Sequence, residues 1–163
     1  MTGIVLLDTS IYLNVLDVPR RNQKRDAVRS KFVALIEAEA HFLLPVATIW
    51  ETGNHIARCA AGGMRREVAQ RFLANVTKAL EGGTPYKPTH FPDRGPFLDW
   101  LREFPEYAMR QKSEKKRGEG VSLSDLSIIK EWERAGQRHP ARRVWIWSLD
   151  ADLRAYDTQP DGS

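Results

Sequence analysis

Cysteine is almost absent from this sequence. Cys59 is the only one, so an internal disulfide is impossible. No stretch approaches the ~20 consecutive apolar residues that a membrane span requires. The amino terminus also lacks the basic segment and apolar core of a signal peptide, so we expect no secretion. These absences predict a protein of the reducing cytoplasm that does not associate with membranes.

The histidines show no spacing typical of a zinc site. They are His41, His55, His90 and His139. Because structural zinc is usually held by several cysteines or closely spaced histidines, we do not expect a structural zinc site. We interpret His55 as a helix-surface or supporting residue rather than a catalytic base.

The composition is that of one globular domain. The 163 residues are 42% hydrophobic and 28% charged, and we expect a single domain over 1–163. The net charge is +4, and the main concentration of positive charge is a short stretch that we call the basic segment. It consists of Arg110, Lys112, Lys115, Lys116 and Arg117. Such a run is ordinarily a solvated surface, but beside a nuclease site it would contact RNA phosphates.

Helical and strand-like patterns alternate along the chain. We predict strands at 3–7, 41–44 and 143–148. We predict helices at 11–16, 24–40, 45–57, 64–80 and 122–135. Strands separated by helices form parallel sheets, so the pattern predicts an α/β fold with a central parallel sheet.

Several local features complete this prediction. The helix after Pro45 should bury Val46, Trp50, Gly53 and Ala57. The proline and glycine content of 82–96 should block regular structure, and a short helix at 97–107 should be interrupted near Pro105. We therefore expect 82–120 to be an elaboration of the domain. After the last predicted strand, the chain leaves little room for a closing strand.

Four acidic residues lie where a predicted strand ends or a helix begins. They are Asp8, Glu51, Asp125 and Asp150. In open α/β sheets, ligands bind at the carboxyl ends of the strands. If these side chains converge there, their repulsion favours a bound cation, and carboxylates are the ligands that Mg²⁺ or Mn²⁺ prefers. The pattern predicts a divalent metal site made of oxygen ligands.

Each acid also has an ordinary structural explanation. Asp8 and Asp125 could be helix caps, Glu51 a solvated helix residue and Asp150 a turn former. These explanations give no reason for all four acids to occur at corresponding places. Their joint placement is what favours a metal site.

Four segments carry a resemblance to a known family. They are Leu6-Leu7-Asp8-Thr9-Ser10, Glu51-Thr52-Gly53-Asn54-His55, Ser124-Asp125-Leu126-Ser127-Ile128-Ile129 and Ser148-Leu149-Asp150-Ala151-Asp152. In order and spacing they resemble the four motifs of PIN (PilT amino-terminal) domains, and especially those of VapC-type ribonuclease toxins. The resemblance implies a three-layer α/β/α sandwich.

The resemblance also implies roles for individual residues. Asp8, Glu51, Asp125 and Asp150 would be catalytic, and Asp8, Asp125 and Asp150 would hold the metal. The supporting residues would be Ser10, Ser148 and Asp152. A cognate antitoxin and a homodimer are implied as well.

The function that follows is an endoribonuclease dependent on Mg²⁺ or Mn²⁺, the toxin of a type II toxin–antitoxin pair. Two alternatives remain. One is a PIN-like module that binds RNA or protein without cleavage. The other is a phosphatase of the haloacid dehalogenase type, but that chemistry needs a second Asp where this chain has Ser10.

Overall fold

A computed structural model describes residues 2–110 and 118–159 of the protein. Within these ranges the strands are β1 (Ile4–Leu7), β2 (His41–Leu44), β3 (Tyr86–Pro88), β4 (Val144–Trp147) and β5 (Asp157–Thr158). The helices are α1 (Thr9–Val15), α2 (Arg25–Glu37), α3 (Val46–Ala57), α4 (Gly62–Leu80), α5 (Arg94–Met109) and α6 (Leu123–Arg138). A 3₁₀ turn covers Ala151–Leu153.

The described strands form one sheet in the order β3-β2-β1-β4-β5, in which only β5 is antiparallel. The central strand β1 is apolar and fully buried, as expected of a strand covered on both faces. Val5 and Leu7 pack into one hydrophobic core, and Ile4 and Leu6 into a second core on the other face of the sheet. Helices therefore cover both faces, and the predicted α/β/α sandwich with a central, mostly parallel sheet is confirmed.

The segment 82–96 does not avoid regular structure, and that prediction was wrong. It contains β3, which pairs in parallel with β2. Tyr86 and Pro88 are buried on either side of exposed Lys87, the alternation of a strand. Proline is tolerated here because β3 lies at the edge of the sheet, where a missing N–H donor breaks no interior ladder.

The helix predicted at 97–107 is longer than expected and continues through Pro105. A proline inside a helix costs about 3 kcal/mol. Trp100 is buried and Tyr107 packs against the second hydrophobic core, and both contacts favour an unbroken α5.

The predicted buried stripe of α3 was also wrong. Its buried residues are Thr48, Thr52 and Ile56, whereas Trp50 is 66% exposed. The Thr48 hydroxyl donates a 2.7 Å hydrogen bond to the carbonyl of Leu7, which satisfies a polar group inside the core. This bond ties α3 to the end of β1.

A closing strand is present despite the short chain end. β5 pairs with β4, and the Thr158 hydroxyl accepts a 2.9 Å hydrogen bond from the backbone N–H of Val144. Arg143 and Asp157 form an ion pair across the same two strands. None of the helices that the structure describes combines the length and apolar character needed to cross a membrane.

Candidate active site

Asp8 lies at the carboxyl end of the central strand, between the ends of β2 and β4. Its side chain is almost fully buried, and its backbone N–H donates a 3.0 Å hydrogen bond to the carbonyl of Trp147. Asp8 occupies the N-cap position of α1, but its side chain makes no capping hydrogen bond. The helix-cap explanation of this carboxylate therefore fails.

Two serine hydroxyls hold the Asp8 carboxylate. Ser148 Oγ donates to Asp8 Oδ2 at 2.7 Å, and Ser10 Oγ donates to the same oxygen at 2.9 Å. Each hydroxyl also accepts a backbone N–H at 2.9 Å, that of Asp150 for Ser148 and that of Leu149 for Ser10. Because those N–H groups occupy a lone pair of each hydroxyl, the hydroxyl hydrogens remain available for Asp8. The arrangement joins α1 to the loop after β4.

The electrostatic surroundings of Asp8 disfavour its ionised form. Burial is the main cause and raises the pKa of the carboxyl above its usual value, and the nearby charge of Asp125 raises it further. The hydrogen bonds from Ser148 and Ser10 oppose this by lowering the pKa, but they do not outweigh burial. A cation near Asp8 and Asp125 would relieve both unfavourable effects.

Asp125 lies in the first turn of α6. The N-cap of that helix is Ser122, whose Oγ accepts a 3.1 Å hydrogen bond from the backbone N–H of Asp125. Since Ser122 is the cap, the carboxylate of Asp125 is not needed for that role. The structure thus brings together Asp8, Ser10, Ser148 and the charge of Asp125.

The other predicted acids have different surroundings. Glu51, on α3, accepts a 3.3 Å hydrogen bond from Asn54 and lies 3.8 Å from His55 Nε2. Burial, chiefly, lowers the pKa of His55, so its imidazole tends to be neutral. Asp150 is exposed in the N-cap position of the 3₁₀ turn, and Asp152 is half-buried within that turn.

Over residues 2–110 and 118–159, no three Asp, Glu, His or Cys side chains form a group that could hold a metal ion. The four acids predicted from the sequence therefore do not form one compact cluster. Asp8 and Asp125 still fit a hard divalent cation, because both offer carboxylate oxygens and their mutual repulsion is unfavourable without one. The assignment of Mg²⁺ or Mn²⁺ stays a prediction.

Other proteins of known structure have a similar fold. The structure of FitAB bound to an IR36 DNA fragment is 18% identical, with a TM-score of 0.54, and the match covers 93% of this chain and 89% of that one. The crystal structure of FitAcB from Neisseria gonorrhoeae is also 18% identical, with a TM-score of 0.55 and coverage of 93% and 91%. The fold is PIN-like. No family model and no curated protein matches the sequence.

In this PIN-like fold, one buried acid was missed by the sequence analysis. Glu131 of α6 is only 9% exposed, and its Oε1 accepts a 2.6 Å hydrogen bond from the Thr89 hydroxyl. Its Oε2 is buried and has no partner among the described residues. Burial raises the pKa of Glu131 to about 7, against smaller lowering effects of Thr89 and Arg134. The sequence could have predicted this burial, because Glu131 lies three residues after Ile128 and four before Ala135, within the apolar stripe of α6.

The predicted RNA-binding residues are only partly described. The Arg110 guanidinium lies 4.3 Å from the centroid of the Tyr107 ring. Lys112, Lys115, Lys116 and Arg117 lie outside the described residues.

Proposed function

We propose that this protein is a metal-dependent endoribonuclease that hydrolyses RNA phosphodiester bonds and acts in the cytoplasm as a VapC-type toxin. The observation that carries the proposal is the buried Asp8 carboxylate, held by Ser10 and Ser148 and close to the charge of Asp125. A purely structural role gives no reason to keep two repelling carboxylates together at the ligand-binding edge of a sheet.

Asp8, Asp125 and Asp150 would hold Mg²⁺ or Mn²⁺. When bound, such an ion supplies an activated water and stabilises negative charge that develops on a phosphate. The two serine hydroxyls fix the direction of the Asp8 oxygen that accepts them, which leaves the carboxylate prepositioned. Burial of Asp8 keeps bulk water away and strengthens its attraction to a cation. Glu51 would contribute from α3 as the fourth catalytic acid.

The four motifs resemble those of VapC-type toxins, which act with an antitoxin, and the PIN-like fold supports that resemblance. We propose a cognate antitoxin that blocks the site, and a homodimer. A small neighbouring gene that encodes a DNA-binding protein, and co-purification of the two products, would support the pairing. A chain that is expressed without growth arrest and without such a neighbour would argue against it.

The alternative is a PIN-like module that binds RNA or protein without cleaving. It is favoured by the lack of a three-residue metal-binding group in the described ranges. A cleavage assay with Mg²⁺ or Mn²⁺ separates the two functions. We expect Asp8→Asn, Glu51→Gln and Asp125→Asn to abolish cleavage.

Melting without metal provides the second measurement. Asp8→Asn should melt at a higher temperature than the wild type, because it removes a carboxylate whose ionisation burial opposes. Asp99→Asn, on the exposed face of α5, is the matched control and should leave cleavage unchanged. Full activity of the triple variant at Asp8, Glu51 and Asp125 would refute the nuclease proposal.

A further inference from the structure

A second concave region lies on the face of the sheet covered by α6. It is a cleft of about 690 Å³ between that helix, the exposed half of β2 and β3, and the segment that follows β3. Its charged and titratable lining residues are Lys87, Arg134, Arg138, Arg142, Glu131, Asp93, His41, His90 and His139. Four of them are Lys or Arg and two are acids, so the cleft carries positive charge.

Not all of these cations are equally available to a ligand. The Arg142 guanidinium donates hydrogen bonds to the backbone carbonyls of Thr2 and Gly3, so part of its donor capacity is used within the protein. Lys87 and Arg138 are exposed, and Arg134 is half-buried against the Trp100 ring. Three cations along one cleft suit a chain of phosphates.

The mouth of the cleft carries exposed aromatic rings. Phe91 lines the cleft and is 68% exposed, and its ring meets the ring of Trp50 edge-on with centroids 6.3 Å apart. Trp50 is 66% exposed. Large exposed aromatics beside cations are the arrangement on which successive bases of a single strand stack.

Glu131 adds a hydrogen-bond acceptor to the lining. Its Oε2 is buried without a partner among the described residues, while Oε1 is held by Thr89. An exocyclic amine of a nucleobase is a donor that a carboxylate accepts. The cleft thus offers phosphate, base-face and base-edge contacts together.

The cleft and the candidate active site share helix α6. Glu131 follows Asp125 by six residues on α6, about 9 Å along the helix axis. Trp50 immediately precedes Glu51 on α3. We infer that the cleft binds a single-stranded RNA segment that extends from the scissile bond along α6, with phosphates near Lys87, Arg134 and Arg138 and a base stacked on Phe91. This inference rests on the proposed function.

The test measures binding separately from cleavage. Fluorescence anisotropy of a labelled oligocytidylate, whose bases carry an exocyclic amine, is recorded in EDTA over a range of salt concentrations, for the wild type and three variants. Lys87→Gln/Arg138→Gln removes two exposed cations of the cleft, and Phe91→Ala removes the ring. Arg29→Gln/Arg66→Gln removes the same charge from exposed positions on α2 and α4 and is the matched control.

We expect the cleft double variant to flatten the slope of log K against log salt by about 1.4, since each lost phosphate contact removes roughly 0.7. Phe91→Ala should weaken binding about tenfold at constant salt slope. The control variant should reduce neither the salt slope nor the binding affinity to the same extent. An equal effect of the control, or no binding by the wild type, overturns the inference, as does preferential binding of duplex RNA.

Cleavage by the same proteins separates this inference from the proposed function. Binding to the cleft without any cleavage by the wild type contradicts the nuclease proposal and leaves the cleft assignment standing. If the wild type cleaves RNA and all cleft variants bind and cleave it equally well, the assignment of RNA binding to the cleft is wrong, whereas the nuclease proposal is supported.

Discussion

Glu131→Gln should gain stability relative to the wild type as the pH rises from weakly acidic to weakly alkaline values. Glu131 is buried, and its pKa is raised from 4.5 to about 7. Between these two values the folded protein binds a proton that the unfolded chain has released, so stability falls as pH rises through this window. Above this pH window, Glu131 is ionised in both the folded and the unfolded protein, and stability falls no further.

The magnitude follows from the same two values. The difference between 4.5 and about 7 corresponds to about 3 kcal/mol, at about 1.4 kcal/mol per pH unit. Gln keeps the shape of the side chain and can still accept the Thr89 hydrogen bond, but it cannot ionise. Its NH₂ group would stand where Oε2 lacks a partner, at a cost of about 1–3 kcal/mol that does not depend on pH.

Urea denaturation at about pH 5 and about pH 8 measures the effect. The stability difference between variant and wild type should shift in favour of Gln by up to about 3 kcal/mol from the lower to the higher pH. Because both proteins contain the other titrating groups, among them Asp8, the contributions of those groups to the pH dependence of stability cancel in the comparison. Glu67→Gln, exposed on α4, is the control and should show no such shift. A Glu131→Gln difference that is equal at both pH values would refute the reasoning.

Three further outcomes are expected. Ser148→Ala removes the 2.7 Å hydrogen bond to Asp8, and it should lower stability in urea by about 1–3 kcal/mol and slow cleavage. Asp150→Asn should raise the Mn²⁺ concentration needed for cleavage more than Asp152→Asn does, and a larger defect at Asp152 in metal titrations would reverse the assignment. Replacing all five cations of the basic segment by Gln should flatten the salt dependence of RNA binding by about 3.5, and an unchanged slope would identify the segment as a solvated surface.

The position of Asp8 could be predicted because it depends on local sequence. An apolar run that ends in an acid and a hydroxyl pair indicates a buried strand whose last residue emerges at the sheet edge. The relation of Asp8 to Glu51 could not be predicted in the same way. It depends on how α3 packs over the sheet, and this packing is fixed by contacts such as the one from Thr48 to the Leu7 carbonyl.

The errors in α3 and β3 have related causes. In α3 we assigned the buried face to the largest apolar residue, Trp50, but a threonine whose hydroxyl finds a backbone acceptor can be buried equally well. In β3 the prolines and glycines nearby are local signals against regular structure. Pairing with β2, together with burial of Tyr86, outweighs them, and both are tertiary effects that a short sequence window does not contain.

The two buried acids, Asp8 and Glu131, differ in what could relieve their ionisation. Asp8 accepts two hydroxyl hydrogen bonds, and what remains unfavourable besides burial is the charge of Asp125, which hydrogen-bond donors alone do not neutralise. Glu131 has the cation Arg134 nearby, and what it lacks is a donor for its second oxygen. A divalent cation would neutralise the repulsion between Asp8 and Asp125. A base amine or a similar N–H donor would supply the hydrogen bond that Glu131 Oε2 lacks. Under the two proposals, a metal-bound phosphate would lie at Asp8 and a neighbouring base at Glu131.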